Sequence, residues 1–287
     1  MLELVNSRLR LLLLDPVDDR SRLGPRFCTG GYIYQVEDSL GRPLFGGPEY
    51  PAPNPSVING QGMPDVFQFT LYQSPDQILP SKLIVGVGVV ENRAGKLPTE
   101  THFDSSVETF VAWRTACEKN RIRMEASQEF GAWAFDLIRE VVLHASGWDV
   151  ITEVRSSGSA DLPIRWFTHP FFPLNDDRRC CFLPPGTTID HNPGFTLSDE
   201  GLLAMRPDFD WTAGCYTHLK LPPSDPLFSA DIVHPVAQRI RMDLDMPPMK
   251  IALWANDRTF SPEPFVERLL TPGAGARWRV RYSLFPE

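Results

Sequence analysis

The stretch QEFGAWAFDLIREVVLHASGWDVITEVRS, residues 128–156, decides the fold class of this chain. Its first half contains no proline, and six residues keep helical spacing there, namely Phe130, Trp133, Ala134, Leu137, Val141 and His144. Against a helix, the short turn ASGW is followed by DVITEVRS, a β-branched run of alternating polarity that would pair back as a hairpin. We therefore predict a β-hairpin over residues 128–156.

The rest of the chain has the same rhythm of short apolar segments and turns. Gly, Pro, Asp or Ser bound the early segments, which are SRLRLLLLD (7–15), YIYQVED (32–38), RPLFG (42–46), VFQFTLY (66–72) and KLIVGVGVV (82–90). Turn chemistry in DSLG (38–41) predicts a hairpin between YIYQVED and RPLFG. Four later segments continue the pattern: YTHLKL (216–221), RIRMDLD (239–245), KIALWA (250–255) and RWRVRYSLF (277–285). The chain is predicted to be an all-β antiparallel sandwich of many strands.

Composition fits one folded body. The chain has 287 residues, of which 42% are hydrophobic, and this is enough for a sizeable core. Its 28 prolines outnumber its 20 glycines, which suits short strands and ordered loops because proline lacks a backbone donor. Since no repeat or flexible linker divides the sequence, we predict a single domain over residues 1–287.

Charge and hydropathy restrict the partners and the location. With 28 Lys plus Arg against 36 Asp plus Glu, the net charge of -8 offers no basic field for nucleic acid. The longest apolar run, Leu83–Val90, is too short for a membrane span, and MLELVNSRLRLLLLD at the N-terminus lacks a signal-peptide cleavage site. Five cysteines without CxxC spacing indicate reduced thiols. We expect a soluble, cytoplasmic protein that binds neither nucleic acid nor membrane.

Common cofactor and catalytic motifs are missing. Gly86-Val87-Gly88 has Glu91 where a dinucleotide-binding loop has its third glycine, so we interpret it as part of a packed strand. The sequence also lacks a phosphate loop, a GxSxG nucleophile and an HExxH pair. We expect no cofactor and no metal site that local spacing would reveal.

Two titratable residues stand in unusual settings. His169 lies in RWFTHPFFPL (165–174), where aromatic residues, Trp166 among them, surround an imidazole that titrates near neutrality. Such a wall suits the apolar face of a sugar ring. Glu263 lies between two prolines in FSPEPF (260–265), which holds the backbone rigid as a general base requires. The alternatives are a structural histidine at a strand end and a solvated glutamate in a surface turn.

These motifs resemble those of aldose 1-epimerases in the galactose mutarotase-like superfamily. SSGSADLPIRWFTHPFFPL (156–174) is similar to the family segment that leads into an aromatic-rich histidine motif. The order along the chain also matches: GPRF with GGYI (24–33), IVGVGVVENR (84–93), the His169 motif, SPEPF (261–265) and LTPGAGARWRVRYSLF (270–285). The resemblance implies a galactose mutarotase-like supersandwich and a small-molecule carbohydrate as ligand.

By this resemblance, His169 would protonate the ring oxygen of a sugar and Glu263 would take the proton from the anomeric hydroxyl, with no cofactor. Arg26 would bind sugar hydroxyls or support the site from below. Family members carry another histidine or arginine after the early strands, whereas SVINGQGMP (56–64) has no histidine. His102 or His191 would then supply the missing contact, and the sequence does not choose between them.

Three functions therefore remain open at this stage. The first is a mutarotase that interconverts sugar anomers by general acid–base ring opening, because the reference pKa values of His and Glu suit opposite protonation states near pH 7. The second is a carbohydrate-binding protein on the same fold, without turnover. The third is a structural or partner-binding β-sandwich. For a phosphorylated ligand, Arg178-Arg179 is the only basic pair close to the His169 motif.

Overall fold

The computed structural model describes residues 1–72, 80–92 and 105–285, and β-strands dominate them. The first strands are β1 (Leu2–Val5), β2 (Leu9–Leu13), β3 (Ile33–Asp38), β4 (Asp65–Phe67), β5 (Thr70–Leu71), β6 (Ser81–Ile84), β7 (Gly88–Glu91), β8 (Val107–Phe110), β9 (Arg114–Cys117), β10 (Arg121–Phe130), β11 (Trp133–His144) and β12 (Gly147–Ser156). The later strands are β13 (Leu162–Thr168), β14 (Phe172–Pro173), β15 (Arg179–Phe182), β16 (Thr188–Ile189), β17 (Phe195–Leu197), β18 (Leu202–Met205), β19 (Cys215–Lys220), β20 (Ser229–His234), β21 (Gln238–Leu244), β22 (Lys250–Ala255), β23 (Thr259–Leu270) and β24 (Gly275–Leu284). Two 3₁₀ turns, Arg20–Arg22 and Trp211–Ala213, are the helical elements of this described part.

The described strands form two large and two small sheets, all antiparallel. The large sheets have ten strands, in the order β17-β18-β15-β20-β21-β24-β12-β11-β10-β9, and seven strands, in the order β16-β19-β22-β23-β13-β4 with β14 also paired to β23. The small sheets are β1-β2-β3 and β5-β6-β7-β8. The predicted all-β antiparallel architecture is confirmed.

The segment that decided the fold class forms a hairpin, as predicted. β11 and β12 pair from Phe135–Ser156 to His144–Gly147, and the buried residues of β11 recur at every second position. This period of two is that of a strand with one face in a core. Gly147 is required at the turn because a Cβ there would collide with the backbone of Tyr282 on β24.

Three early segments differ from the predicted strands. VFQFTLY (66–72) is divided between β4 and β5, which belong to different sheets. KLIVGVGVV (82–90) is a hairpin of β6 and β7 instead of one strand, because Gly86 adopts a positive φ of 73° and turns the chain. The predicted turn at residues 38–41 forms, with Gly41 at a φ of 74°. The strand expected after it contributes a single bridge between Glu37 and Pro43.

Buried aromatic rings fill the space between the two large sheets. On β13 of the seven-stranded sheet, Trp166 packs against Trp278 on β24 of the ten-stranded sheet, with ring centroids 5.3 Å apart. Trp148 and Tyr282 stack at 5.2 Å beside them. On β24 the arginines that alternate with Trp278, Val280 and Tyr282 point away from this core. The opposite face of the seven-stranded sheet is left to form a cleft.

Candidate active site

A cleft of about 370 Å³ lies on the face of the seven-stranded sheet that points away from the core. Its floor follows from strand register, because directly opposed residues on antiparallel strands share a face. Phe167 on β13 opposes Phe265 on β23, and Glu263 on β23 opposes Ala252 on β22. The residues that line the cleft are Arg26, Pro48, Asn59, Gln68, Phe167, His169, Phe171, Tyr216, Trp254, Glu263 and Phe265.

Glu263 lies in the middle of the central strand β23, in contrast to the alternative of a solvated turn. The flanking prolines are tolerated there because, among the described strands, none pairs with β23 on one side of this stretch: pairing with β13 ends at Phe265, and pairing with β14 resumes at Phe260. The Phe265 carbonyl accepts a hydrogen bond from Met249 on the β22 side. By strand alternation, the nitrogens of Pro262 and Pro264 face the unpaired side, where no donor is needed.

His169 leaves the sheet at the same interruption. Its backbone N–H donates to the Pro64 carbonyl at 2.8 Å, so the chain after β13 follows the segment before β4 instead of continuing along β23. Nδ1 of the ring lies 2.9 Å from Oγ of Ser261. Nε2 lies 3.3 Å from Oε1 of Glu263. Both side chains are about 95% buried, so the two predicted residues face each other in a nearly dry setting.

Arg26 completes the polar group. Its Nη1 donates to the Ile58 carbonyl at 2.8 Å, and its Nη2 lies 3.2 Å from Nε2 of His169. Cys28, two residues later, donates its N–H to the Asp65 carbonyl, which fixes the Arg26 loop to the start of β4. Pro64 and Asp65, which are adjacent in the sequence, therefore hold both segments. Pro64 binds the strand end that carries His169, and Asp65 binds the loop that carries Arg26.

The contacts of His169 decide where the proton of the pair lies. A guanidinium has only donors, so Nε2 of His169 must present its lone pair to Arg26, and Nδ1 then donates to Ser261. Burial, with the charge of Arg26 adding to it, lowers the pKa of His169 well below its usual range. Burial also raises the pKa of Glu263 to about 8, although Arg26 and Lys250 oppose this shift. We infer a neutral imidazole and a protonated carboxyl at pH 7 rather than an ion pair.

Aromatic rings enclose the imidazole. The ring of Phe171 lies 4.5 Å from that of His169, and Phe167, Trp254 and Phe27 lie about 6 Å away, between centroids. This arrangement could hold the apolar face of a ring-shaped ligand while the polar atoms reach its hydroxyls. Within the described residues no set of His, Cys, Asp and Glu side chains has the geometry of a metal site.

Other sequence expectations do not lead to the cleft. Trp166 is fully buried on the core face of β13, because a strand alternates its faces and Phe167 and His169 already point into the cleft. His191 is exposed after β16 and does not line the cleft. His102 lies outside the described residues. The assignment of Trp166 as a sugar-stacking residue is corrected accordingly.

Sequence reasoning missed several residues that line the cleft. Trp254 and Tyr216 come from β22 and β19, where they oppose each other directly. Alternation in KIALWA could have revealed Trp254, because Ile251, Leu253 and Ala255 form one buried face of that strand and Trp254 lies on the other face. Asn59, in the stretch without histidine, also lines the cleft and supplies a carboxamide there.

No protein-family model and no curated protein matches this sequence. Solved structures do match. A galactose mutarotase related enzyme from Lactobacillus acidophilus has a TM-score of 0.62 at 12% identity, over 99% of this chain and 97% of its own. A putative aldose 1-epimerase from Escherichia coli K12 has a TM-score of 0.55 at 14% identity, over 98% and 97%. An aldose epimerase homologue from C. elegans has a TM-score of 0.52 at 10% identity, over 98% and 97%. The fold is galactose mutarotase-like.

In the described part of the chain, no helix is long and apolar enough to cross a membrane.

Proposed function

We propose that this chain, which has the galactose mutarotase-like fold, is an aldose 1-epimerase-like mutarotase that interconverts sugar anomers. The observation that carries the proposal is the juxtaposition of His169 and Glu263, 3.3 Å apart at the floor of an aromatic-lined cleft. The two residues are 94 positions apart in the sequence, so the fold brings them together. The cleft, of about 370 Å³, has room for a monosaccharide.

The pair holds the groups that ring opening requires. A hemiacetal opens when a base removes the proton from the anomeric hydroxyl while an acid protonates the ring oxygen. In the free protein the pair holds one transferable proton, on Glu263, and one basic lone pair, on Nε2 of His169. During opening, Glu263 gives its proton to the ring oxygen and His169 takes the proton of the anomeric hydroxyl. Closing on the other face of the aldehyde returns a proton to Glu263 and removes one from His169.

This proton placement gives the roles a direction. A cyclic sugar that binds to the free protein would be protonated at its ring oxygen by Glu263 and deprotonated by His169. These roles are the reverse of those implied by the family resemblance. The implied roles would apply if the free protein first bound an open-chain sugar, because closing that sugar leaves the proton on His169 for the next ring opening. Infrared difference spectra of the wild type and Glu263→Gln test the placement: a carboxylic acid band at pH 7, absent from the variant, supports it, and a carboxylate band contradicts it.

Activity is tested with freshly dissolved α-anomers of several aldoses, followed by polarimetry and by saturation-transfer NMR. We expect faster approach to the anomeric equilibrium for at least one sugar. No acceleration for any neutral or charged sugar would reject the proposal. Because the reaction needs only a proton transfer within the site, activity should persist in the presence of a metal chelator.

Non-catalytic carbohydrate binding is the second candidate. It is favoured by Asn59, which brings a carboxamide into the cleft from the stretch where the family carries a titratable or cationic side chain. A carboxamide binds hydroxyls but exchanges no proton. Sugar-dependent chemical shift changes without any anomer exchange would support this function over the first.

A further inference from the structure

Lys250 is a cation beside the cleft that ring opening does not use. It lies on β22, two residues before Ala252, which directly opposes Glu263. Its ammonium lies 4.2 Å from the ring centroid of Phe265, a residue that lines the cleft. Lys250 also lines a second groove of about 430 Å³. It therefore lies between Phe265 of the candidate active site and the neighbouring groove.

Among the described residues, Lys250 has no carboxylate within salt-bridge distance. Two carboxyl groups influence it, those of Glu263 and Glu267. The first contacts His169, and the second pairs with Arg165 at 2.9 Å. In the described part of the chain, no carboxylate forms a salt bridge with Lys250. By contrast Lys220, on the same sheet face, pairs with Asp190 at 2.5 Å.

We infer that the cleft takes a sugar that carries an anionic substituent, a phosphate ester or a carboxylate, and that Lys250 binds this substituent. The inference rests on the proposed function and adds the substrate class to it. A half-buried ammonium over an aromatic ring keeps its position and loses part of its hydration, so an anion gains more there than at an exposed lysine. The net charge of -8 repels anions from the protein as a whole, so a local cation is needed to attract an anionic sugar to the cleft.

The basic pair noted in the sequence does not provide this function. Arg179 pairs with Asp177 at 2.6 Å and lines a different cleft, together with Arg8, Arg42 and Arg239. Neither Arg178 nor Arg179 lines the cleft of His169 and Glu263. We assign this function to Lys250 on β22, the strand that pairs with the strand of Glu263. No local motif around His169 could indicate this residue.

Calorimetric titration of the wild type with glucose, glucose 6-phosphate and glucuronate tests the inference. We expect at least one of the two anionic sugars to bind about tenfold more tightly than glucose, and this preference to weaken as salt is added. Lys250→Met should remove the preference, and Lys250→Arg should keep most of it. Lys220→Met is the matched control and should retain it. Which anionic sugar is preferred tells a phosphate ester from a carboxylate.

Equal binding of glucose and both anionic sugars by the wild type would overturn the inference. An unchanged preference in a folded Lys250→Met variant would do the same, with folding checked by circular dichroism and by a second variant, Lys250→Gln. The proposed function fails separately. If anionic sugars bind through Lys250 but their anomers exchange no faster, only the mutarotase assignment is lost. If glucose is turned over without any preference for a charged sugar, only this inference is lost.

Discussion

At the residue scale, His169 and Glu263 can be tested as a pair. His169→Asn and Glu263→Gln each remove a proton-transfer group with little change of volume, so the fold and most sugar affinity should remain. We expect each variant to lose about 10²–10⁴-fold in mutarotation rate. The double variant should lose less than the product of the two, because both residues act in one step. Polarimetry on a sugar that the wild type turns over provides the measurement.

Retention of wild-type turnover by either variant would show that the altered residue is neither the acid nor the base. Ser261→Ala is the companion variant, because Ser261 Oγ lies 2.9 Å from Nδ1 of His169 and orients the ring without reaching the lone pair on Nε2. We expect its rate to fall by less than that of His169→Asn.

The raised pKa of Glu263 predicts how stability depends on pH. The folded-state pKa is about 8, whereas the ordinary pKa of a glutamate is 4.5. Between these values the folded protein keeps a proton that the unfolded chain has released, so the contribution of Glu263 to stability falls as pH rises from about 4.5 to about 8. Glu263→Gln has no such proton. Relative to the wild type, the variant should therefore become more stable across this interval.

Urea unfolding of both proteins at several pH values measures this difference. His169 contributes in both, and its lowered pKa acts with the opposite sign: its stabilising contribution is present above about pH 6.5 and is lost as pH falls. Because both proteins contain His169, the comparison removes the part of this contribution that the substitution leaves unchanged. A stability difference that stays constant between pH 4.5 and 8 would contradict the protonated carboxyl.

At the element scale, β23 shows how a central strand accommodates two prolines. Their nitrogens face the interval between β13 and β14, so Pro262→Ala restores a donor that has no strand partner. We expect a loss of no more than about 1 kcal/mol in the free energy of unfolding, from the greater freedom of the unfolded chain. Val266→Pro is the contrasting variant, because Val266 has the same orientation where β13 is paired with it. Chemical denaturation should show a much larger loss there, and equal losses would reject this account.

At the scale of the whole molecule, a buried ion pair joins the two large sheets. Arg139 on β11 binds the carboxylate of Asp65 on β4, the hydroxyl of Thr152 and the carbonyl of Gly30. Asp65 belongs to the segment that holds His169 and the Arg26 loop, so the pair connects the site to the opposite sheet. Both side chains are at most 3% exposed, and neither charge could be left alone without a large cost.

Removal of one partner should therefore destabilise the protein strongly. We expect Asp65→Asn to cost about 3–5 kcal/mol in the free energy of unfolding. Arg139→Met leaves a buried carboxyl whose pKa burial already raises, so this variant should lose further stability as pH rises above the usual pKa range of an aspartate. Arg123→Met is the matched control on the same sheet, and its half-buried pairs with Glu125 and Glu140 should be worth about 1 kcal/mol or less. Denaturant titrations that rank these variants otherwise would contradict the role of the pair.

Local sequence determined the fold class. The turn ASGW and the alternation on either side of it identify the hairpin of β11 and β12, because a strand with one buried face must alternate its side chains. The same rule, applied to β13, would have placed Trp166 in the core and Phe167 at the cleft. Gly86 could also have indicated that KLIVGVGVV turns back, since glycine is the residue that most readily adopts a positive φ.

The sequence also singled out His169, Glu263 and Arg26, through motifs and a family resemblance, but their contacts depend on the tertiary structure. Three distant segments meet because β13 and β23 pair in one register and the Arg26 loop is tied to Asp65. Burial raises the pKa of Glu263, and the donor-only guanidinium of Arg26 faces the lone pair on Nε2 of His169; no isolated pKa value could indicate either effect. Lys250 lies beside the cleft only because it is in register with Phe265. Patterns along a strand report which face a residue occupies, whereas pairing between strands decides which residues meet.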